Sequence, residues 1–138
     1  ANKRMQRQFI KRQVNKTYIA DVVGSLEANE GIISLPLAPD YYDLPRQMVC
    51  HKTGKPSETK WTVVKRMEGI TRLAMKPVTG RTHQLRVHCA HPEGLGLPMV
   101  GDELYGVIGE RLHLHAHKLE FQHPTTKELI TITAPIPF

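Results

Sequence analysis

The sequence predicts an α+β fold, a mixed and mainly antiparallel sheet with flanking helices, on three observations. Short β-branched and aromatic runs recur between turn residues, one run free of Gly and Pro has helical spacing, and no internal repeat or low-complexity tract breaks the order. At the start, Met5, Phe9 and Ile10 stand at i, i+4 and i+5 among basic residues, predicting an amphipathic helix. Residues 16–23 are β-branched and aromatic, end at Gly24 and predict a strand. Residues 31–37 give a second, shorter strand, stopped by Pro36 and Pro39. From 40 to 57 no period is present, which predicts a long loop or arm. Residues 58–64 alternate around Thr59, Trp61 and Val63, and 71–75 continue after Glu68-Gly69, as an antiparallel pair. Residues 81–90 predict a helix, with Leu85 and Cys89 four apart and Thr82 as its N-cap. It stops at His91-Pro92, because the residue before proline avoids the α region. Residues 94–106 are glycine-rich and irregular, and 119–123 with 129–134 predict a closing hairpin.

Composition narrows the class. At 138 residues, with 40% hydrophobic and 23% charged, the chain suits one domain with a real core and argues against disorder. No window reaches the roughly 18 apolar residues a membrane helix needs, and no apolar stretch follows the basic opening as in a signal peptide. Cys50 and Cys89 are isolated, the pattern of a reduced, cytoplasmic protein. Residues 1–20 carry Lys3, Arg4, Arg7, Lys11, Arg12 and Lys16 and no acid. These six charges match the net charge of +6, so the rest of the chain is balanced. Such a segment suits a polyanion such as nucleic acid, and equally a solvated helix face.

The densest polar segment is Thr79-Gly80-Arg81-Thr82-His83-Gln84-Leu85-Arg86-Val87-His88. On a helix, His83 and Arg86 share one face, and Gln84 and His88 share another. Arg86, between Leu85 and Val87, is either held by a carboxylate or phosphate in bidentate geometry or snorkels to solvent with its stem on the core. His113, His115 and His117 alternate, yet they come from one element and neither Cys nor HExxH accompanies them, so no metal site is expected. Tyr18 sits mid-strand, where a tyrosine either packs or stacks on an extruded base.

Residues 73–88, Leu-Ala-Met-Lys-Pro-Val-Thr-Gly-Arg-Thr-His-Gln-Leu-Arg-Val-His, resemble the signature block of the RluA-type RNA pseudouridine synthases. Lys16-Thr17-Tyr18-Ile19-Ala20, Gly54-Lys55-Pro56 with Thr59, Val100-Gly101-Asp102 through Tyr105-Gly106, Leu112-His113-Leu114-His115-Ala116 and the ending from His123-Pro124 to Ala134-Pro135 are similar to further family blocks, in order. The resemblance spans essentially all 138 residues. It implies isomerisation of uridine in structured ribosomal or transfer RNA. The C1′–N1 bond breaks, the uracil turns, and a C1′–C5 bond forms, with neither metal nor organic cofactor. It implies Tyr18 and Arg86 as catalytic residues, the first against the uracil and the second pairing with the catalytic carboxylate. Leu114, or its neighbour Leu112, supplies an apolar wall. Arg81, His83 and Gln84 anchor the helix and its preceding turn on the substrate-binding side, and the loop from 40 to 57 reaches over the RNA.

One departure matters. The family's nucleophile is an aspartate in a His-Arg-Leu-Asp motif, and this chain contains no such motif. Its aspartates are Asp21, Asp40, Asp43 and Asp102, in other blocks or in the proline-flanked loop. The expectation is therefore that residues 1–138 are the C-terminal portion of a catalytic domain and are inactive alone. Arg86 is then expected to lack a carboxylate and to take a solvent anion. A half-domain also exposes a sheet edge, so self-association is an expected artefact. The rival reading is a non-catalytic RNA-binding module on the same scaffold. A common cavity shared by Tyr18 and Arg86 is the geometric expectation on which the enzymatic reading stands.

Overall fold

The β-branched and aromatic stretch around Tyr18 forms β1 (Asn15–Val23), whose residues face alternately to the two sides of the sheet. The computed structural model describes residues 15–123 and 125–138, and the helix predicted around Met5 lies outside them. The other strands are β2 (Glu30–Ser34), β3 (Leu37–Pro39), β4 (Gln47–Val49), β5 (Glu58–Met67), β6 (Ile70–Pro77), β7 (Leu114–Gln122) and β8 (Leu129–Thr133). Six of them form one sheet in the order β2-β5-β6-β1-β7-β8, and every pairing is antiparallel. The β5–β6 hairpin turns at Glu68-Gly69, where Gly69 takes φ +71°, a left-handed conformation that a side chain would strain.

Of the two expectations for the interval from 40 to 57, a long loop or an arm, the structure shows an arm that carries a strand. Gln47, Met48 and Val49 pair with Pro39, Ala38 and Leu37 as a two-stranded arm. The pairing is stabilised across a turn, which no period in the sequence reports. β7 also begins at Leu114, earlier than the strand expected from 119, because its early residues pair with β1.

One sheet face carries the core. Tyr18, Ala20 and Val22 stand opposite Met75, Leu73 and Thr71, so these residues point the same way. Ala20, Val22, Leu73 and Met75 pack with Ile33, Leu35, Trp61, Met99 and the helix residues Leu85 and Cys89. Gly31 is paired with Trp61, and a Cβ there would sit 2.8 Å from the indole, so only glycine lets the ring lie across β2. The helix α1 (Gln84–Ala90) covers this face with Leu85 and Cys89.

α1 starts later than expected, and Thr82 is not its cap. His83 occupies the cap position at φ 53°, without a side-chain cap. The Gln84 carboxamide oxygen instead accepts the Arg81 N–H at 3.0 Å, closing the first turn from inside. The helix ends where His91 becomes extended before Pro92, as the sequence predicts.

Candidate active site

Arg86 leaves α1 toward the segment after the core. Its Nε donates to Asp102 Oδ2 at 3.1 Å and its Nη2 to Asp102 Oδ1 at 2.6 Å, a side-on bidentate pair. This overturns the expectation that Arg86 lacks a carboxylate and takes a solvent anion. The partner comes from 16 residues onward, across a glycine-rich stretch with no period. Asp102 is fully buried, and its Oδ1 also accepts the N–H groups of Leu104 and Tyr105 at 3.1 and 3.2 Å. Burial pushes the Asp102 carboxyl upward, but the bonds from Arg86 and from the two backbone amides outweigh it and hold it below the ordinary carboxylate value.

Tyr105 ties this pair to the arm. Its ring lies 5.4 Å from the Arg86 guanidinium carbon and 5.1 Å from that of Arg46, between two cations. Its hydroxyl accepts the Gln47 N–H at 2.8 Å, leaving its own proton to donate to His83 Nδ1, also at 2.8 Å. Arg46 Nη1 donates to the Leu104 carbonyl. Burial and the Arg86 charge hold His83 below the usual imidazole value, and burial lifts the Tyr105 phenol, so both are neutral at neutral pH. His83 and Arg86 thus meet one partner, as their spacing predicts.

The opposite edge of α1 is fastened by a hydrogen-bond chain with one direction. Gln84 Oε1 accepts from the Thr79 hydroxyl at 2.6 Å, and Gln84 Nε2 donates to the Glu58 carbonyl and Thr59 Oγ1, both at 2.9 Å. The Ser57 hydroxyl donates to the Leu35 carbonyl, so its oxygen accepts from His88 Nε2 at 2.8 Å. Nδ1 of His88 is left to accept the Thr59 hydroxyl proton at 2.8 Å. His88 is fully buried and uncharged, its pKa pushed down to about 4 by that burial. Gln84 and His88 therefore share Thr59, as residues four apart on one helix face can. Arg81 is exposed, with Nε donating to the Pro56 carbonyl at 3.0 Å. It lines a groove of about 570 Å³ between the arm and the turn before α1, with Lys55, Thr53 and Tyr41.

Tyr18 and Leu114 both pack against the core from its margin, on the sheet face that α1 covers. Leu114 stands opposite Ala20 across β1 and β7, and Leu112 also packs there. Tyr18 lines a mostly apolar groove of about 370 Å³ with Ala116, Leu119, Ile132 and Ala134. Of the three alternating histidines, His117 lines this same groove. His113 Nδ1 contacts Asp21 Oδ2 at 3.1 Å, and His115 and His117 both bond to the Ala134 carbonyl. Among the described residues no group of three or more His, Cys, Asp or Glu converges as metal ligands would.

Asp102 and Tyr105 are the site members to which the sequence reading gives no role, whereas Arg46 belongs to the loop expected to reach over the RNA. The only signal for Asp102 and Tyr105 is the block from Val100 to Gly106, which marks the segment without saying what it touches.

The family described as RNA pseudouridylate synthase matches residues 1–91. The chain is 43% identical over 139 residues to the dual-specificity RNA pseudouridine synthase RluA of Vibrio cholerae, covering 97% of this chain and 56% of that protein. It is 40% identical over 144 residues to the proteins of the same description from Pasteurella multocida and Escherichia coli, covering all of this chain and 64% of each. The chain therefore spans roughly three-fifths of the length of these relatives. Among solved structures, human RNA pseudouridylate synthase domain containing 1 superposes with a TM-score of 0.81 at 32% identity, covering 96% of this chain and 59% of that one. Human RNA pseudouridylate synthase domain containing 4 superposes at 0.74 with 22% identity over 98% of this chain and 62% of that one, and shows the fold alone.

Proposed function

The chain belongs to the RluA-type RNA pseudouridine synthases, and from that premise we propose that its parent protein converts specific uridines of structured RNA to pseudouridine. The observation that carries the reading is Arg86. It is fixed side-on by a buried carboxylate, its other edge is unpartnered among the described residues, and it sits on the helix covering the face where Tyr18 and Leu114 lie.

In this reading the target uridine leaves its stack and is received beside Tyr18 and Leu114, which pack at the margin of one core although the groove that Tyr18 lines includes neither Leu114 nor Arg86. The nucleophilic aspartate comes from a segment outside these 138 residues. The outer edge of Arg86 pairs with that aspartate and keeps it ionised. The C1′–N1 bond breaks, the uracil turns and C5 bonds to C1′. The proton lost from C5 is balanced by one gained at N1, so nothing is consumed and no cofactor is called for. Tyr18, beside the base, takes part in the proton removal from C5. Arg81, with Lys55 and the basic residues of the first 20, supplies phosphate contacts in ribosomal or transfer RNA. The two cysteines are unpaired, which fits a cytoplasmic setting.

The test is tritium release from RNA labelled at uridine C5, with pseudouridine mapped by nucleotide. The product of the full reading frame releases tritium at defined uridines, and the 138-residue chain alone releases none. Salt-dependent RNA binding by the full product without turnover would instead establish the non-catalytic RNA-binding module. Turnover by the 138-residue chain alone would show that its nucleophile lies within it.

A further inference from the structure

We propose that Asp102 is the positioning residue of the site, holding Arg86 so that its outer Nη1–Nη2 edge faces the reacting group. This rests on the catalytic assignment of Arg86 proposed above. A guanidinium offers five N–H donors in a rigid plane. In Arg86 one from Nε and one from Nη2 are taken by Asp102, and among the described residues the remaining three have no partner. The side chain keeps 16% of its surface, and no buried side-chain nitrogen among the described residues lacks a partner, so the unpartnered Nη1 reaches the surface. The three donors form the end-on fork that a second carboxylate binds with two parallel bonds.

Asp102 can hold that fork still because its own orientation does not depend on Arg86. Its Oδ1 is fixed by the N–H groups of Leu104 and Tyr105, and its carbonyl accepts the Gly106 N–H at 2.8 Å, closing a tight turn. The Tyr105 ring, from the same turn, covers the guanidinium. Carboxylate and ring thus constrain Arg86 in its plane and out of it. Asp102 also shares the Arg86 charge, so a second carboxylate arriving at the outer edge meets a cation already half neutralised.

The experiment uses the full-length protein and the variant Asp102→Asn. Asparagine keeps Oδ1 for the two backbone amides and for Arg86 Nη2, but turns an NH2 toward Arg86 Nε–H, so the side-on pair loses one of its two bonds and its negative charge. The expected result is a fall in kcat of about a hundredfold, the order that a misplacement near 1 Å produces. KM for the RNA stays within about twofold, since substrate binding is not what is lost. The acid limb of kcat/KM moves, because Arg86 no longer divides its charge between two carboxylates. By 15N NMR the Arg86 Nε–H, assigned by its loss in Arg86→Lys, is protected from exchange in the parent and unprotected in Asp102→Asn. A kcat within about twofold of the parent, a rise in KM alone, or a fall in kcat that tracks loss of folded protein overturns the proposal. If Asp102→Asn does not fold, Asp102→Glu keeps the charge and shifts the fork, and an unaltered kcat there overturns it as well. An unprotected Nε–H in the parent does so directly. A protected, Asp102-dependent Nε–H in a parent that makes no pseudouridine overturns the proposed function and leaves the hold of Asp102 on Arg86 standing.

Discussion

Two aspartates hold two arginines side-on in this molecule, and the pairs differ in what each arginine has left over. On the sheet face away from α1, Asp21 receives Arg72 Nε at 2.8 Å and Nη2 at 3.1 Å. Arg72 Nη2 also donates to the Phe138 carbonyl at 2.9 Å, and the Phe138 ring lies 5.5 Å from the guanidinium carbon and stacks on His113 at 4.4 Å. Both Nη2 protons of Arg72 are engaged, so no end-on fork remains. Beside α1, the Arg86 fork stays open after Asp102 is satisfied. The same ion pair therefore serves as a staple on one face and as a presented donor on the other. What separates them is the chain that covers the outer edge, not the pair itself.

The largest expected effect breaks the second pair. Arg86→Ala leaves Asp102 buried without its cation, a loss of about 3–5 kcal/mol in urea unfolding, and abolishes pseudouridine formation in whatever folds. Arg72→Ala tests the first pair. It costs about 3 kcal/mol by the same measurement, softened because His113 remains beside Asp21, yet turnover per folded molecule is retained. If folded Arg72→Ala has no activity, the two faces are not functionally distinct.

The next effect comes from pH. His88 titrates near 6.5 when unfolded and near 4 when buried, so between those values the unfolded chain binds the extra proton. Stability is full above about pH 6.5 and declines as pH falls toward 4. At about 1.4 kcal/mol per unit, the loss attributable to His88 is about 3 kcal/mol. Urea titrations across that range check it, and His88→Gln removes this slope. Asp21 and Asp102 act in the same sense, over a lower range of pH. Burial raises both carboxyls, but their partners lower them further, so their contribution is present above the ordinary carboxylate pKa and is lost only as pH falls below it. An acid transition lying wholly below pH 4 would mean that His88 is not the buried neutral link between Thr59 and Ser57.

The smallest effect sharpens the comparison from the covered side. Phe138→Ala removes the ring over His113 and Arg72 and costs about 1 kcal/mol in thermal unfolding, without changing turnover.

Much of the frame is legible before any coordinates. The alternation of Thr59, Trp61 and Val63 and the turn at Glu68-Gly69 identify β5 and β6 because a half-buried strand writes a period of two into its own residues. The four-residue spacing of Gln84 and His88 anticipates that both reach one strand, where Thr59 bonds each. The arm pairing of β3 with β4 is not legible, since three-residue strands are too short to carry a period. Nor is the start of α1, where a Gln84 side chain folded back on Arg81 replaces the cap expected at Thr82.

By itself the sequence determined the strand-forming runs, the single helix among the described residues, the family and the identity of Tyr18 and Arg86 as the residues to watch. Those are properties of local pattern and of ordered blocks, which the linear chain displays. Only the tertiary structure decided that Arg86 is already paired, that Asp102 is its partner, and that Tyr105 joins the helix to the arm. Each of these depends on a through-space meeting of segments that the chain separates by 16 residues or more, and a carboxylate has no sequence signature for the cation it will meet.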